Sequence, residues 1–328
     1  MKSILVVGTG SIGRRHVANF SKYYQNIDIV DIRQDRIKEA RQKLNIRNSY
    51  NNYRDPIKKN NYEAVIITTP PNFHLPIAEM AVKNGLNILI EKPLGMDSNG
   101  WKRISNICKD KKLINYVAYC HRHINYTQKF KKYIEKGLLG KVLNANVRWG
   151  SYFPDWHPWE DYRDFYMSKK EQGGGALLDE SHGIDLVRYF FGEASEVFAI
   201  VDKISNLEIT TDDNAFLTLK MKNNMLVQLS FDLISRSTFC RIEANGSEGS
   251  IIWDRVDHNL KYYSTKTKKW TTEQFSKEDF LDMYPNQARH FVLCLKKKIK
   301  PAITILDALK TQKIIDTSFL SSKKKKLI

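Results

Sequence analysis

Residues 3–13 read SILVVGTGSIG, and the fold turns on how they are understood. A short apolar run leads straight into a turn with G-x-G-x-x-G spacing at Gly8, Gly10 and Gly13, and an amphipathic stretch over 14–24 follows. A strand, a tight glycine turn and a helix in that order open a βαβ unit whose helix N-terminus, with the N–H groups around Ser11 and Ile12, meets the phosphates of a dinucleotide. In this reading Gly8 allows the turn, Gly10 removes a side chain where the pyrophosphate approaches the backbone, and Gly13 lets helix and strand pack closely. Asp31 ends the next apolar run, 18 residues after Gly13, where an acid holds both adenosine ribose hydroxyls and repels a 2′-phosphate. The expected cofactor is NAD, with NADP as the alternative because Arg33 stands two residues further on. A glycine turn in some other α/β fold is the competing reading.

Working outward, apolar runs at 3–8, 28–31, 64–68, 87–91 and 115–119 alternate with helical patterns at 14–24, 35–44, 75–84 and 99–109. Strict alternation predicts a parallel sheet covered on both faces. From about residue 141 the rhythm changes to β-rich runs at 142–152, 197–201, 215–221, 226–233, 239–244, 250–253 and 260–263, separated by turn signals such as Asn223-Asn224 and Asn245-Gly246. These predict an antiparallel sheet in a second domain. A helix over 175–191 interrupts it, and helical segments at 286–297 and 305–318 follow. The fold class is therefore α/β, a doubly wound parallel sheet over 1–120 followed by an α+β domain over 121–328.

The 328 residues, 42% hydrophobic and 27% charged, suit two globular domains and exclude collagen-like, low-complexity and largely disordered classes. No apolar run approaches the 18 or so residues of a membrane helix, and the opening residues lack the apolar core of a secretory signal. Cys108, Cys120, Cys240 and Cys294 lie far apart, which supports neither a zinc site nor a disulfide framework and fits a reducing cytoplasm. The net charge is +17, of which +9 falls in residues 285–328: ten lysines and Arg289 against Asp307 and Asp316. Read as a solvated helix end and tail, that charge implies no nucleic-acid partner and no membrane. It leaves weak steering of anionic ligands, the dinucleotide and a phosphorylated sugar among them.

Four stretches carry candidate chemistry. TTPPNFH at 68–74 sits at the carboxyl end of a strand, where open α/β sheets bind ligands, and offers Thr69, Pro70, Asn72 and His74 to the cofactor. EKPLG at 91–95 ends the next strand; Lys92, fixed by Pro93, can donate a hydrogen bond to a substrate oxygen, and Glu91 can hold its ammonium. A surface lysine is the alternative. GGGALLDESHGIDL at 173–186 places Asp179, His182 and Asp185 three apart on one helix, so a histidine flanked by carboxylates can serve as general acid and base. A satisfied core histidine and a metal site are the alternatives, and no further metal ligand is visible in the sequence. GSYFPDWHPWEDYRDFY at 150–166 interleaves aromatic, acidic and Arg residues, among them Trp156, Tyr162 and Arg163, in the manner of a sugar pocket. Its four acids argue against a phosphate-backbone groove.

GTGSIG, TPPNFH, EKP, GGGALLDESHGID and the DALK at 307–310, taken in order, resemble the Gfo/Idh/MocA family of glucose-fructose oxidoreductase and inositol 2-dehydrogenase-like enzymes. The resemblance extends to TDDNAFLTLKMKNNM at 211–225 and RIEANGSEGSIIWD at 241–254, and so covers essentially the whole chain. It implies an N-terminal Rossmann domain, a C-terminal domain with a large, open, mainly antiparallel sheet used for oligomerisation as dimer or tetramer, and NAD(P)-dependent oxidation or reduction of a carbohydrate. By the same resemblance Lys92 is the EKP lysine, His182 the acid–base histidine, Asp179 its partner and Arg122, in AYCHRH at 118–123, an arginine near the substrate. One departure is visible: the family more often shows Asp-x-x-x-His, whereas two residues separate Asp179 from His182. The DESHGID helix and the PDWHPWEDYR segment resemble a subgroup associated with surface-polysaccharide and nucleotide-sugar gene clusters. Two other functions fit the same scaffold, a biliverdin-reductase-like enzyme with a non-sugar substrate and a non-catalytic NAD(P) sensor; the presence of both Lys92 and His182 weighs against the second.

Overall fold

The structure, a computed structural model, describes residues 2–59, 61–156, 158 and 160–328. The chain divides into two compact units, Met1–Tyr119 with Tyr284–Gln312, and Cys120–Met283 with Lys313–Ile328. In the first, β1 (Ser3–Val7), β2 (Asn26–Val30), β3 (Ser49–Tyr50), β4 (Ala64–Ile67), β5 (Asn87–Glu91) and β6 (Asn115–Ala118) alternate with α1 (Ser11–Phe20), α2 (Gln34–Lys43), α3 (Arg54–Lys59), α4 (His74–Lys83) and α5 (Trp101–Asp110). The strands form one parallel sheet in the order β3-β2-β1-β4-β5-β6. It was expected with five strands; β3 is too short to leave a pattern.

Successive residues of β1 face opposite sides, as the strand period requires. Ile4 and Val6 join one core with Val17, Phe20 and Ile66, while Leu5 and Val7 join the other with Ile77, Ile88 and Trp101. Burial on both faces is why these strands read as continuous apolar runs. Both cores are completed by the distant segment 284–312. Phe291, Val292 and Leu295 pack on the first face, and Ile303, Ile305 and Ala308 on the second. The backbone N–H of Val117 in β6 donates to Ile303 O, and the N–H of Ile305 donates to Asn115 Oδ1. Assigning all of 121–328 to one domain therefore misplaces residues 284–312, whose apolar faces are taken up by the parallel sheet.

The second unit holds α6 (Asn125–Glu135), β7 (Val142–Tyr152), α7 (Ala176–Asp179), α8 (Ser181–Phe191), β8 (Ala194–Asp202), β9 (Asn214–Met221), β10 (Leu226–Asp232), β11 (Ile234–Gly246), β12 (Gly249–Asp254), β13 (Asn259–Ser264), β14 (Lys269–Gln274) and α9 (Lys277–Leu281). After them come α10 (Met283–Leu295) and α11 (Ile305–Lys324). The eight strands run β14-β13-β12-β11-β7-β10-β9-β8, antiparallel throughout except for the parallel pair β7 and β10. One face is buried, through Val147, Trp149, Leu217, Leu229 and Phe231. On the other, Phe198, Ile200, Phe216 and Leu226 are exposed, with Ile200 and Phe216 directly paired. The single helix expected over 175–191 is two, α7 and α8, broken at Glu180. No helix among the described residues is long and apolar enough to cross a membrane.

Candidate functional site

The three glycines of the first turn have different surroundings. A Cβ on Gly13 would lie 2.0 Å from Gly8 O, and one on Gly8, whose φ is +99°, would lie 2.7 Å from Thr68 O. A Cβ on Gly10 would meet only an Arg36 side-chain nitrogen, at 3.6 Å. Gly8 and Gly13 are thus demanded by the protein's own packing, while Gly10 borders open space. Behind Gly10, α1 starts without a side-chain cap and without an acid in its first turn, so its first N–H groups are left to an anion. Ser11 is exposed and Ile12 half-buried there.

Asp31 is buried and locked by its neighbours. Thr9 donates to Oδ2 from both N and Oγ1, at 2.7 and 2.8 Å, and the Arg33 N–H donates to Oδ1 at 2.9 Å. A capacity for one further donor remains on Oδ1. The Arg33 guanidinium, expected as an alternative partner for a 2′-phosphate, bonds Asp35 through Nε and Nη2. Across the turn, Thr69 Oγ1 and Asn72 Oδ1 are shut off from solvent with no hydrogen-bond partner. Orphaned polar atoms of this kind, in the loop expected to meet a cofactor, are what a bound ligand would satisfy. The residues present fit a dinucleotide.

His74 has an internal task instead. It is fully enclosed, with Nε2 2.8 Å from Thr69 O and Nδ1 3.0 Å from Pro93 O. Burial pushes its pKa down, so it is neutral and donates to one carbonyl at a time while tying the Pro70 loop to the Lys92 loop. Glu91 also differs from expectation. His16 Nε2, one turn into α1, donates to Glu91 Oε1 at 2.7 Å, and the backbone N–H of Lys92 donates to Oε2 at 3.1 Å. His16 thereby links the glycine-turn helix to the lysine-bearing strand end. A lone helical histidine carries no sequence signal for that.

In the second unit the glycine run 173–175 is explained by packing. A Cβ on Gly174 would lie 2.2 Å from Met167 O, and one on Gly175, at φ +110°, would lie 2.3 Å from Asp212 Oδ1. Asp212 Oδ2 accepts from the Leu177 N–H at the start of α7, and burial pushes the carboxyl pKa up to about 6. Asp179 closes α7, accepting from Tyr166 OH at 2.9 Å, and His182 sits in the first turn of α8. The break between them replaces the single continuous helix that their three-residue spacing predicts.

The His182 ring lies on that of His121, centroids 3.9 Å apart and planes 13° from parallel, and Trp149 lies parallel to His121 at 5.1 Å. Cys120, His121 and His182 bring donor atoms within 4.8 Å of one another. A tetrahedral ion needs in-plane lone pairs that converge, whereas stacked rings direct theirs along nearly parallel lines. The trio as it stands is a packed cluster. Arg122 is committed to Asp185, with Nε and Nη2 donating to its two oxygens at 2.8 and 2.6 Å. In the aromatic stretch, buried Phe153 takes the edges of Trp156 and Tyr162. Tyr162 OH accepts from the Glu208 N–H, and Arg163 bridges Asp161 and Glu208. His157 and Trp159 of this stretch lie outside the described residues.

Comparison with known proteins agrees with this geometry. Residues 2–119 match the model of an oxidoreductase family with an NAD-binding Rossmann fold, and residues 127–252 that of the GFO/IDH/MocA C-terminal domain. The levoglucosan dehydrogenase of Pseudarthrobacter phenanthrenivorans is 28% identical over 66% of this chain and 61% of its own length. The myo-inositol 2-dehydrogenase of Thermotoga maritima is 27% identical over 91% and 90%. A solved levoglucosan dehydrogenase in complex with NADH superposes with a TM-score of 0.89 at 21% identity, over 100% of this chain and 98% of that one, and so shares the fold.

Proposed function

The chain belongs to the GFO/IDH/MocA oxidoreductase family, with an NAD-binding Rossmann fold, and from that premise we propose that it is a dehydrogenase or reductase acting on a ring carbinol or ketone of a carbohydrate. The substrate class is a sugar, sugar phosphate or nucleotide sugar. The observation that carries the reading is the cradle around Gly10: open space over an uncapped helix start, with Thr69 Oγ1 and Asn72 Oδ1 lacking partners beside it. Two relatives whose names specify dehydrogenation of levoglucosan and myo-inositol support the choice of a cyclic polyhydroxylated substrate.

NAD, when bound, supplies the hydride acceptor. Asp31 takes one ribose hydroxyl on the acceptor site its neighbours leave free, and its charge, with Arg33 turned to Asp35, disfavours a 2′-phosphate. In the oxidative direction His182 accepts the proton of the reacting hydroxyl, and Lys92 hydrogen-bonds the same oxygen and stabilises its developing charge. Asp179, held by Tyr166, biases the imidazole. Tyr162, Trp156 and Arg163 line the sugar side. Arg122 holds Asp185 through Nε and Nη2, one edge of its guanidinium, and so braces the turn after β6 against α8 beside the sugar side.

The exposed apolar row on the eight-stranded sheet, Phe198, Ile200, Phe216 and Leu226, is the surface through which copies of the chain associate. Cys108, Cys120, Cys240 and Cys294 are buried thiols outside any disulfide, which accords with a reducing cytoplasm. The test is a panel of sugars, sugar phosphates and nucleotide sugars scanned for a change in NADH absorbance. Tight nucleotide binding without turnover of any of them would overturn the reading.

A further inference from the structure

We propose that His121 is a positioning residue for His182: its stacked ring fixes the plane of the His182 imidazole and keeps the two rings from being cationic together. Through the neutral range the pair then always offers a nitrogen able to accept a proton. The inference rests on His182 being the acid–base group, and it adds a residue that the sequence marks only as a neighbour of Arg122.

Both rings are buried, and their centroids are 3.9 Å apart with planes 13° from parallel. Trp149 lies within 14° of parallel to both, and Phe280 meets the His121 ring edge-on. The arrangement is enforced from the next residue along, because Arg122 grips Asp185 one turn further down α8. The segment 120–123 is thus clamped to α8 at two successive turns, and the stack cannot slide without breaking a buried ion pair.

Two positive charges 3.9 Å apart separate the first and second protonation of the pair by roughly 1 pH unit at the dielectric of water and roughly 3 at that of a partly buried site. Their midpoints then belong to the pair and not to either ring. The other titratable and charged groups on the elements around the pair are Cys120, Arg122 and His123 on the same turn, Glu180 and Asp179 at the helix break, Asp185 and Arg188 on α8, Arg255 over Trp149 and Phe280, and His258 against Phe280. On its β10 side α8 meets Phe231 at Gly183, which does not titrate; on its α6 side Lys131 lies over Tyr189, two turns beyond His182.

The test uses the full chain labelled at histidine Cε1, with proton–carbon correlation spectra from pH 5 to 9 and resonances assigned through His121→Phe and His182→Gln. In the parent, the two rings should titrate in two steps more than one pH unit apart. In His121→Phe, which keeps a stacking ring without a charge, His182 should titrate in one step with a proton affinity at least tenfold above that of the parent's lower step. His121→Asn gives the same comparison if the phenylalanine variant does not fold. Two independent rings with one common midpoint would overturn the proposal. So would the absence of any titration above pH 5 in parent and variants alike, since burial alone would then keep the rings neutral. Turnover of the carbohydrate panel by His182→Gln at the parent rate would overturn the assignment of His182 as the acid–base group, while leaving the titration result standing.

Discussion

The glycine turn offers a matched pair of substitutions whose effects should separate. Gly10→Ala places a methyl group where only an Arg36 side-chain end stands, 3.6 Å away, on a backbone at φ −60° that any residue adopts. Its cost to the unligated fold should stay within about 0.5 kcal/mol, as for a surface change. The same methyl stands where the pyrophosphate must reach the first N–H groups of α1. Losing one charge-assisted hydrogen bond of about 1.5–3 kcal/mol weakens NAD binding roughly 10- to 100-fold. Gly13→Ala instead drives a Cβ to within 2.0 Å of Gly8 O, and backbone must move. Overpacking of this kind costs about 1–3 kcal/mol, roughly 5 °C in melting temperature for a unit of this size. Calorimetric melting without nucleotide and titration calorimetry with NAD read the two effects independently. Gly10→Ala binding NAD like the parent, or melting lower than Gly13→Ala, would refute the division of roles.

Lys92→Ala and His182→Ala should each lower turnover by about two orders of magnitude or more at unchanged NAD affinity, read by steady-state rates and nucleotide titration. Arg122→Ala strands the buried Asp185 carboxylate and should cost about 3 kcal/mol in urea unfolding, the low end of the usual range because Arg188 stands 4.0 Å from the same oxygen. Asp212 is raised in the folded state from 3.8 to about 6, so the native protein binds the extra proton and stability falls as pH rises between those values. Asp212→Asn should remove that slope and add up to about 2 kcal/mol at pH 7, discounted for partial exposure, while still accepting from Leu177 N–H; urea midpoints from pH 4 to 7 test it. Ile200→Asp with Phe216→Lys should leave the melting temperature of the chain nearly unchanged but lower its mass by light scattering, if the open sheet face joins copies.

The parts legible in the sequence were those with local patterns. Gly8, Gly10 and Gly13 announce themselves by spacing, and the parallel strands by apolar runs buried on both faces. What escaped depends on distance along the chain. The parallel pairing of β7 with β10 and the return of residues 284–312 to the first sheet join segments that carry no mark of each other. β14, over KWTTEQ, is a solvated edge strand with only Trp270 and Thr residues to suggest it, and Pro56 hides α3. Within the sites, Lys92 and His182 stood out because of EKP and the glycine-led helix. His16 and His121 did not, since a single histidine has no period and its partners Glu91 and His182 lie 75 and 61 residues away. Arg122 and Arg163 are held by Asp185 and Glu208, 63 and 45 residues away, whose proximity only the folded chain supplies, whereas Arg33 is held by Asp35, two residues along, a local pairing that the spacing does not single out.

The hydrogen bond from Val117 to Ile303 spans 186 residues, and it lies on the outer edge of the parallel sheet. A ribosome adding 5–20 residues each second needs roughly 10–40 s to cover that stretch. For that time the nascent first unit has all six strands of its sheet but an unsealed β6 edge, and its Phe20 and Tyr116 side lacks the Phe291 ring that packs there in the finished protein. The whole of the residue 120–283 portion emerges inside this interval. Vectorial synthesis therefore makes the 120–283 part of the second unit available to fold before the first is closed, although its own Lys313–Ile328 segment comes last, and a chain cut between residues 119 and 303 leaves the β6 edge open to pairing with another chain.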